Sequence, residues 1–360
     1  MTTQRIQGLD VARALAVFGM VLVNFKLILQ TGMPDVAGSS FSALLEGRAS
    51  ALFVILAGIG ITFLTNNARL SAIPEKIKSS RYALVKRGIF LALIGLAFTP
   101  YWHADILHFY GVYFLFAALL FTLTNRQLML AALCMPLSFI VLAIFFDYEQ
   151  GWDFTSLSYL DLWSPEGMFR NLFFNGFHPV FPWLGFLLYG IWLGRQELAE
   201  KAFRKKLFFT ALFVWLATEG VFALLSYDAL NDPAWGMTTE DVEALLSTSP
   251  MPPWPQYLIS AAASATLIIL ACVSLSQRFT GARVMRWLSV TGQSSLTLYL
   301  AHVVFAREIL MPLGMQQSAQ NSIALYGGLV FCVLAVIFSV LWHHRSKAGP
   351  LEYLFRKAVS

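Results

Sequence analysis

Apolar residues run along this chain in ten blocks, each long enough to cross about 30 Å of hydrocarbon. They cover roughly residues 9–29, 49–66, 83–101, 105–124, 127–146, 178–195, 206–226, 255–276, 287–306 and 323–343. In lipid a backbone must satisfy its own hydrogen bonds, so runs of this kind predict helices. An even number of crossings returns both termini to the same side. The first block, RIQGLDVARALAVFGMVLVNFKLILQ, carries polar residues at helical spacing. Asp10 and Arg13 are three apart and share a helix face. Asn24 follows fourteen residues after Asp10, roughly 21 Å further along the axis. The polar residues of the other blocks are then sorted by whether they reach the depth of the pair or of the amide.

Composition agrees with a membrane solvent. The 360 residues are 58% apolar and 12% charged, with 31 Phe and 10 Trp, and mean hydropathy is +0.65. A soluble domain carries roughly twice that charged share. The net charge of +5 does not signal nucleic acid, because its placement explains it. With the N-terminus inside, 21 of the 25 Lys and Arg fall on inner segments. Arg48, Arg170 and Arg307 fall outside, and Lys26 sits in the outer part of the first helix, where its stem can snorkel. Such asymmetry puts both ends in the cytoplasm. The expected fold is therefore an all-α polytopic membrane protein of about ten transmembrane helices, a single domain over residues 1–360 in a bacterial inner membrane. No removable leader is expected, since Asp10 and Arg13 interrupt the start of the first run.

The outer loops, about 147–177 and 227–254, are acidic and rich in Trp and Pro; within the second, TTEDVEALL has the cap and first-turn acids of a short helix. The C-terminal segment 349–360 is basic and amphipathic, as an interfacial helix is. Cys134, Cys272 and Cys332 lie in apolar runs without metal-type spacing and read as small core residues. No metal site is expected, because no histidine pair has i, i+4 spacing. Neither an internal repeat nor a matching pair of broken segments, both frequent in secondary transporters, is visible.

Polar groups at membrane depth face cavities or partners, and here they form two layers. The inner layer holds Asp10, Arg13, Lys86, Arg87, Arg283 and Arg286, a positive rim able to hold phosphates or simply to anchor helix ends. The outer layer holds Asn24, Glu219 and His302, the last roughly 22 Å from the inside along the ninth block. Asp105 and His108, at i, i+3 at the start of the fourth block, belong to it, with His103 and His178 nearby. A carboxylate that orients an imidazole makes a base; the same layer would also line a transport path. Gly292, Gln293, Ser294, Ser295 and Thr297 lead from the inner surface toward His302, as close helix packing or as the border of a narrow tunnel.

Several stretches together resemble a known group. RIQGLDVARALAVFGMVLVN is similar to the opening of YeiB-type membrane proteins and of heparan-alpha-glucosaminide N-acetyltransferase, and ALFVILAGIGITFL, DILHFYGVYFLF, FPWLGFLLYGIWLGR and GQSSLTLYLAHVVF follow in the same order. The resemblance implies a transmembrane acyltransferase that takes acetyl from cytosolic acetyl-CoA and passes it to a periplasmic or membrane-bound small-molecule or glycan acceptor. By position it implies Asn24 near the acyl carbonyl and His302 as the histidine of the late helix. The glucosaminide enzymes act through a His soon after that Asn, and KLILQTGMPDVAGSSFSALLEGRAS has none, so the base is either His302 or His108 with Asp105. The acyl-CoA is then expected at Asp10, Arg13, Arg87, Gln293 and Ser294. Since related folds often pair, a homodimer is among the expected partners. A transporter or flippase that binds a solute in the same layer is the alternative.

Overall fold

A computed structural model describes residues 6–30, 43–313 and 321–359. The helices in chain order are α1 (Gln7–Gln30), α2 (Arg48–Ser71), α3 (Pro74–Phe98), α4 (Leu107–Leu120), α5 (Asn125–Phe145), α6 (Pro165–Arg170), α7 (Val180–Gly194), α8 (Lys201–Asn231), α9 (Thr239–Leu246), α10 (Pro255–Arg278), α11 (Arg283–Gly292), α12 (Ser295–Phe305), α13 (Asn321–His343) and α14 (Pro350–Val359). A two-residue antiparallel ladder, β1 (Trp152–Asp153) with β2 (Ser158–Tyr159), is the exception among the described residues. The fold is all-α.

Local chemistry sets many helix ends. Proline occupies the first position of α3, α6, α10 and α14, where its missing N–H costs nothing. Thr124 opens α5 in a reciprocal capping box with Gln127. Thr238 and Asp241 do the same for α9, and the bonds from Thr238 hold the Asp241 carboxyl below its usual range. This is the short helix expected from TTEDVEALL.

Each of the ten apolar blocks contains a helix. Among the described residues α1, α2, α5, α8, α10 and α13 are individually long and apolar enough to cross a membrane, and Pro165–Asn175 with Val180–Gly194 qualify together as a pair bent by 48°. Four blocks do not give an expected single span: the third gives α3, which does not meet that test, the sixth gives α7, which meets it only with the segment before it, and the fourth and ninth differ as follows. The fourth yields α4, whose 14 residues extend only about 21 Å. The ninth, expected as one helix over 287–306, is two: α11 stops at Gly292 and α12 starts at Ser295. No proline marks that break. Bent and broken segments are thus present where none was read from the sequence. Arg5 and most of the loop after α1 lie outside the described residues.

Contacts divide the chain into two compact units, Met1–Phe53, Phe154–Leu157 and Ile268–Ser360 in the first, Val54–Asp153 and Ser158–Leu267 in the second. In the first, α1 packs against α11, α12 and α13. The approach to α11 is close: a Cβ on Gly292 would lie 1.9 Å from the Asp10 carbonyl oxygen. The expected C-terminal amphipathic helix is α14, with Tyr353 and Leu354 exposed. It is tied to the start of α12 through Glu352, which accepts from Leu296 N at 2.6 Å, Thr297 N at 3.2 Å and the Thr297 hydroxyl at 2.6 Å. A carboxylate there meets orphan amides and the positive end of the helix. Glu352→Ala is expected to lower stability by about 1 kcal/mol, the usual cost of a lost cap, read as a drop in the thermal midpoint in detergent.

In the second unit α3 packs on α4 and α5 on α7. Helices α5 and α8 turn Leu133, Ile144, Phe145, Phe213 and Leu224 outward, an arrangement suited to lipid-facing helices. Cys134 lies on that exposed side of α5, whereas Cys272 and Cys332 are buried. Its place on a lipid-type face, not in a core, corrects the expectation from its apolar surroundings. Glu219 accepts from Thr248 Oγ1 at 3.0 Å and from Ser260 Oγ. Lys26 pairs with Glu46, in the segment before α2, at 3.3 Å.

Candidate active site

Within the first unit the structure joins two residues 278 positions apart. Asn24 on α1 places Nδ2 2.9 Å from Nε2 of His302 on α12. An amide N–H donates, so in this arrangement the imidazole is neutral, receives at Nε2 and carries its proton on Nδ1. His302 is fully buried. Its Nδ1 has no partner of hydrogen-bonding geometry, although the backbone of Tyr299 and Leu298 lies beside it. The ring stacks near Phe25 at 6.3 Å between centroids and meets Tyr299 at 5.3 Å and Phe331 at 6.4 Å. These aromatic rings wall the buried imidazole off from water. Asn24 itself is half-buried.

The inner-layer residues of this unit converge as well. Arg13 Nη1 donates to Asp10 Oδ1 at 2.7 Å. The Asp10 side chain is 6% exposed and that of Arg13 26%, so the carboxylate is sunk while the guanidinium keeps an open side. The Gly292 contact sets the α11–α12 break against this turn of α1. At the break Gln293 is half-buried and donates to Ser289 O at 3.1 Å, and Ser294 is buried. Arg87, the remaining residue expected at the acyl donor, lies half-buried on α3 in the second unit.

The second unit holds the other expected base. Asp105 is fully buried and accepts from Leu107 N at 2.9 Å, His108 N at 3.2 Å and His108 Nδ1 at 3.1 Å. This corrects one expectation: Asp105 precedes α4 and caps its first amides, so it is not on the helix face. Capping geometry, not the helical repeat, brings it to His108. The close approach needs Gly95 on α3, where a Cβ would fall 2.2 Å from His108 N and 2.7 Å from Asp105 Oδ2. His178, in the turn before α7, lies 4.6 Å from the Trp183 ring, and Asn171 and Trp183 join the same neighbourhood. Neither Asn171 nor Trp183 was singled out from the sequence, where an amide beside a turn and one Trp among ten look like fold residues. Their nearness to the NGFHP turn was the available signal.

Comparison with known proteins adds the family. Residues 5–230 match the family model described as heparan-alpha-glucosaminide N-acetyltransferase, catalytic. This chain belongs to that family. The heparan-alpha-glucosaminide N-acetyltransferase match includes Asn24, Asp10, Arg13, Asp105 and His108. Residues 192–360 match a second model, described as a protein of unknown function (DUF418), and His302 lies in that stretch. The Asn24–His302 bond therefore unites a residue of the transferase match with one of the second match. No curated protein matches the chain significantly. Membership of the heparan-alpha-glucosaminide N-acetyltransferase catalytic family, with the apolar helices, makes this a multi-pass membrane protein of a transmembrane acetyltransferase family.

Proposed function

We propose that the protein moves an acyl group, acetyl in the first instance, from cytosolic acyl-CoA to a hydroxyl or amine acceptor on the outer side of a bacterial inner membrane. The carrying observation is the Asn24–His302 bond. In a chain whose loop after α1 has no histidine, it brings an imidazole to Asn24, the amide that the resemblance implies lies near the acyl carbonyl. About ten crossings with both termini inside fit the distribution of basic residues.

The residues present suit an acyl-CoA. The open side of Arg13 offers donors to phosphate, Asp10 holds it in place, and the Gln293–Ser294 break leaves small polar groups along the way outward. Acyl-CoA supplies the electrophilic thioester carbon. His302 Nε2 accepts the proton of the acceptor as its oxygen or nitrogen bonds to that carbon, and returns the proton to the departing thiolate. Asn24 Nδ2 turns its donor to the carbonyl oxygen, where negative charge develops. Asp105 and His108 take no part in this step.

The test is thermal stability of the detergent-purified protein with acetyl-CoA. A ligand that binds the folded state alone adds about 2.7 kcal/mol at a hundredfold excess over its dissociation constant. A clear rise in midpoint, lost in Arg13→Ala, is expected. No rise at millimolar acetyl-CoA with folded protein would turn the reading to a transporter or flippase.

A further inference from the structure

Helix α13 is long and apolar enough to cross a membrane, and α14 follows it after the short turn 344–349, so α14 begins at a membrane boundary. Its two sides differ. Leu351 and Phe355 are half-buried and Val359 is buried, whereas Tyr353, Leu354, Arg356, Lys357 and Ala358 are exposed. The turn adds Arg345 and Lys347, both exposed. Against these cations the segment 345–359 has a single acid, Glu352, and its carboxylate is directed to α12. The fastening there is close. Thr297 Oγ1 accepts from Leu351 N at 3.0 Å and donates to one Glu352 oxygen at 2.6 Å, while the other accepts from Leu296 N. A Cβ on Gly349 would lie 2.2 Å from Glu352 Oε2 and 2.8 Å from Thr297 Oγ1, and Trp342 Nε1 ties the turn back to α13 through Ala348 O at 2.9 Å. Helix α14 therefore moves with the start of α12, whose His302 lies roughly 7.5 Å beyond Thr297 along the axis.

We propose that the exposed face of α14 is a docking surface for anionic phospholipid, and that docking there holds the start of α12 in place. Charge and shape select this partner together. Basic clusters beside the end of a crossing helix attract acidic headgroups, and an amphipathic helix with aromatic and aliphatic side chains settles at the boundary between headgroups and acyl chains. An anionic bilayer meets both needs at once, with phosphates for Arg345, Lys347, Arg356 and Lys357 and an apolar boundary for Tyr353 and Leu354. A neutral lipid serves only the apolar half. A soluble anion serves only the charged half. Because Glu352 and Thr297 carry α14 to α12, lipid that binds this arrangement stabilises the first unit and not the terminal helix alone. Lys205 and Lys206, exposed at the start of α8, carry the same charge in the second unit without such a fastening.

This surface does not depend on the acyl-transfer reading, and its test uses no acetyl-CoA. The thermal midpoint of the full-length protein in detergent micelles is measured with dioleoylphosphatidylglycerol, with the same amount of dioleoylphosphatidylcholine, and with inorganic phosphate. The anionic lipid is expected to raise the midpoint by several degrees more than either of the others. Each basic side chain at an anionic surface is worth about fivefold in binding, so Arg356→Gln with Lys357→Gln should need about twenty-five-fold more of that lipid for the same rise. Lys205→Gln with Lys206→Gln, the charge-matched control, should respond as wild type does. Glu352→Ala keeps the cations and cuts the fastening, and Thr297→Val removes only the hydroxyl; both should lose most of the rise. No rise, an equal rise with phosphatidylcholine or phosphate, an unchanged response without the α14 cations, or an equal loss in the α8 control would each overturn the docking. A full rise in both Glu352→Ala and Thr297→Val would overturn the coupling to α12.

Discussion

His302→Gln is expected to abolish acyl transfer while leaving the protein folded. Glutamine can still accept the bond from Asn24 through its carbonyl oxygen, so the link between α1 and α12 survives. What it cannot do is take a proton. General base catalysis contributes about a hundred- to ten-thousandfold, and a loss of that size is expected in acetyl-CoA-dependent release of free thiol by inverted membrane vesicles, which carry natural acceptors. Asn24→Ala removes the donor and is expected to cost about a hundred- to a thousandfold. The thermal midpoint decides what a loss means. An inactive His302→Gln protein with a wild-type midpoint identifies a base; a protein that keeps its activity shows that the imidazole only clasps two helices.

Gly292→Ala is expected to be the most damaging single-methyl change in the first unit. Its Cβ would sit 1.9 Å from the Asp10 oxygen, 2.8 Å from its carbon and 3.1 Å from Ala14 N. All three are backbone atoms, so no side chain can swing aside and α11 must move off α1. Overpacking of this kind costs about 1–3 kcal/mol or more. Gly60→Ala is the control, because nothing lies within 4 Å of its Cβ, and there the better helix propensity of Ala adds up to about 1 kcal/mol. The midpoint should fall for the first and hold or rise for the second. Because the displaced turn of α1 carries Asp10 and Arg13, Gly292→Ala should also lose the acetyl-CoA stabilisation. A wild-type midpoint and an intact acetyl-CoA shift would show that the α1–α11 contact is softer than the structure has it.

The chain itself determined its solvent and the depth of its polar groups. Long apolar runs in lipid have no choice but helix, and a rise of about 1.5 Å per residue turns sequence position into depth, which is why Asn24 and His302 were readable as occupants of the same layer. Depth is one coordinate. Which helices stand side by side, and which faces they turn to each other, depends on packing between residues hundreds of positions apart, so the bond between Asn24 and His302 was decided only in the tertiary structure. The break after Gly292 was likewise hidden, because no proline marks it and the close backbone approach of Gly292 to Asp10 exists only once the helices pack. Asp105 and His108 were legible as neighbours, but the cap that joins them comes from the unsatisfied amides at the start of α4. Asn171 and Trp183 carry no sign of function in the sequence beyond their nearness to the NGFHP turn. Their polar atoms stand out only when burial removes water from them, and burial is a property of the fold.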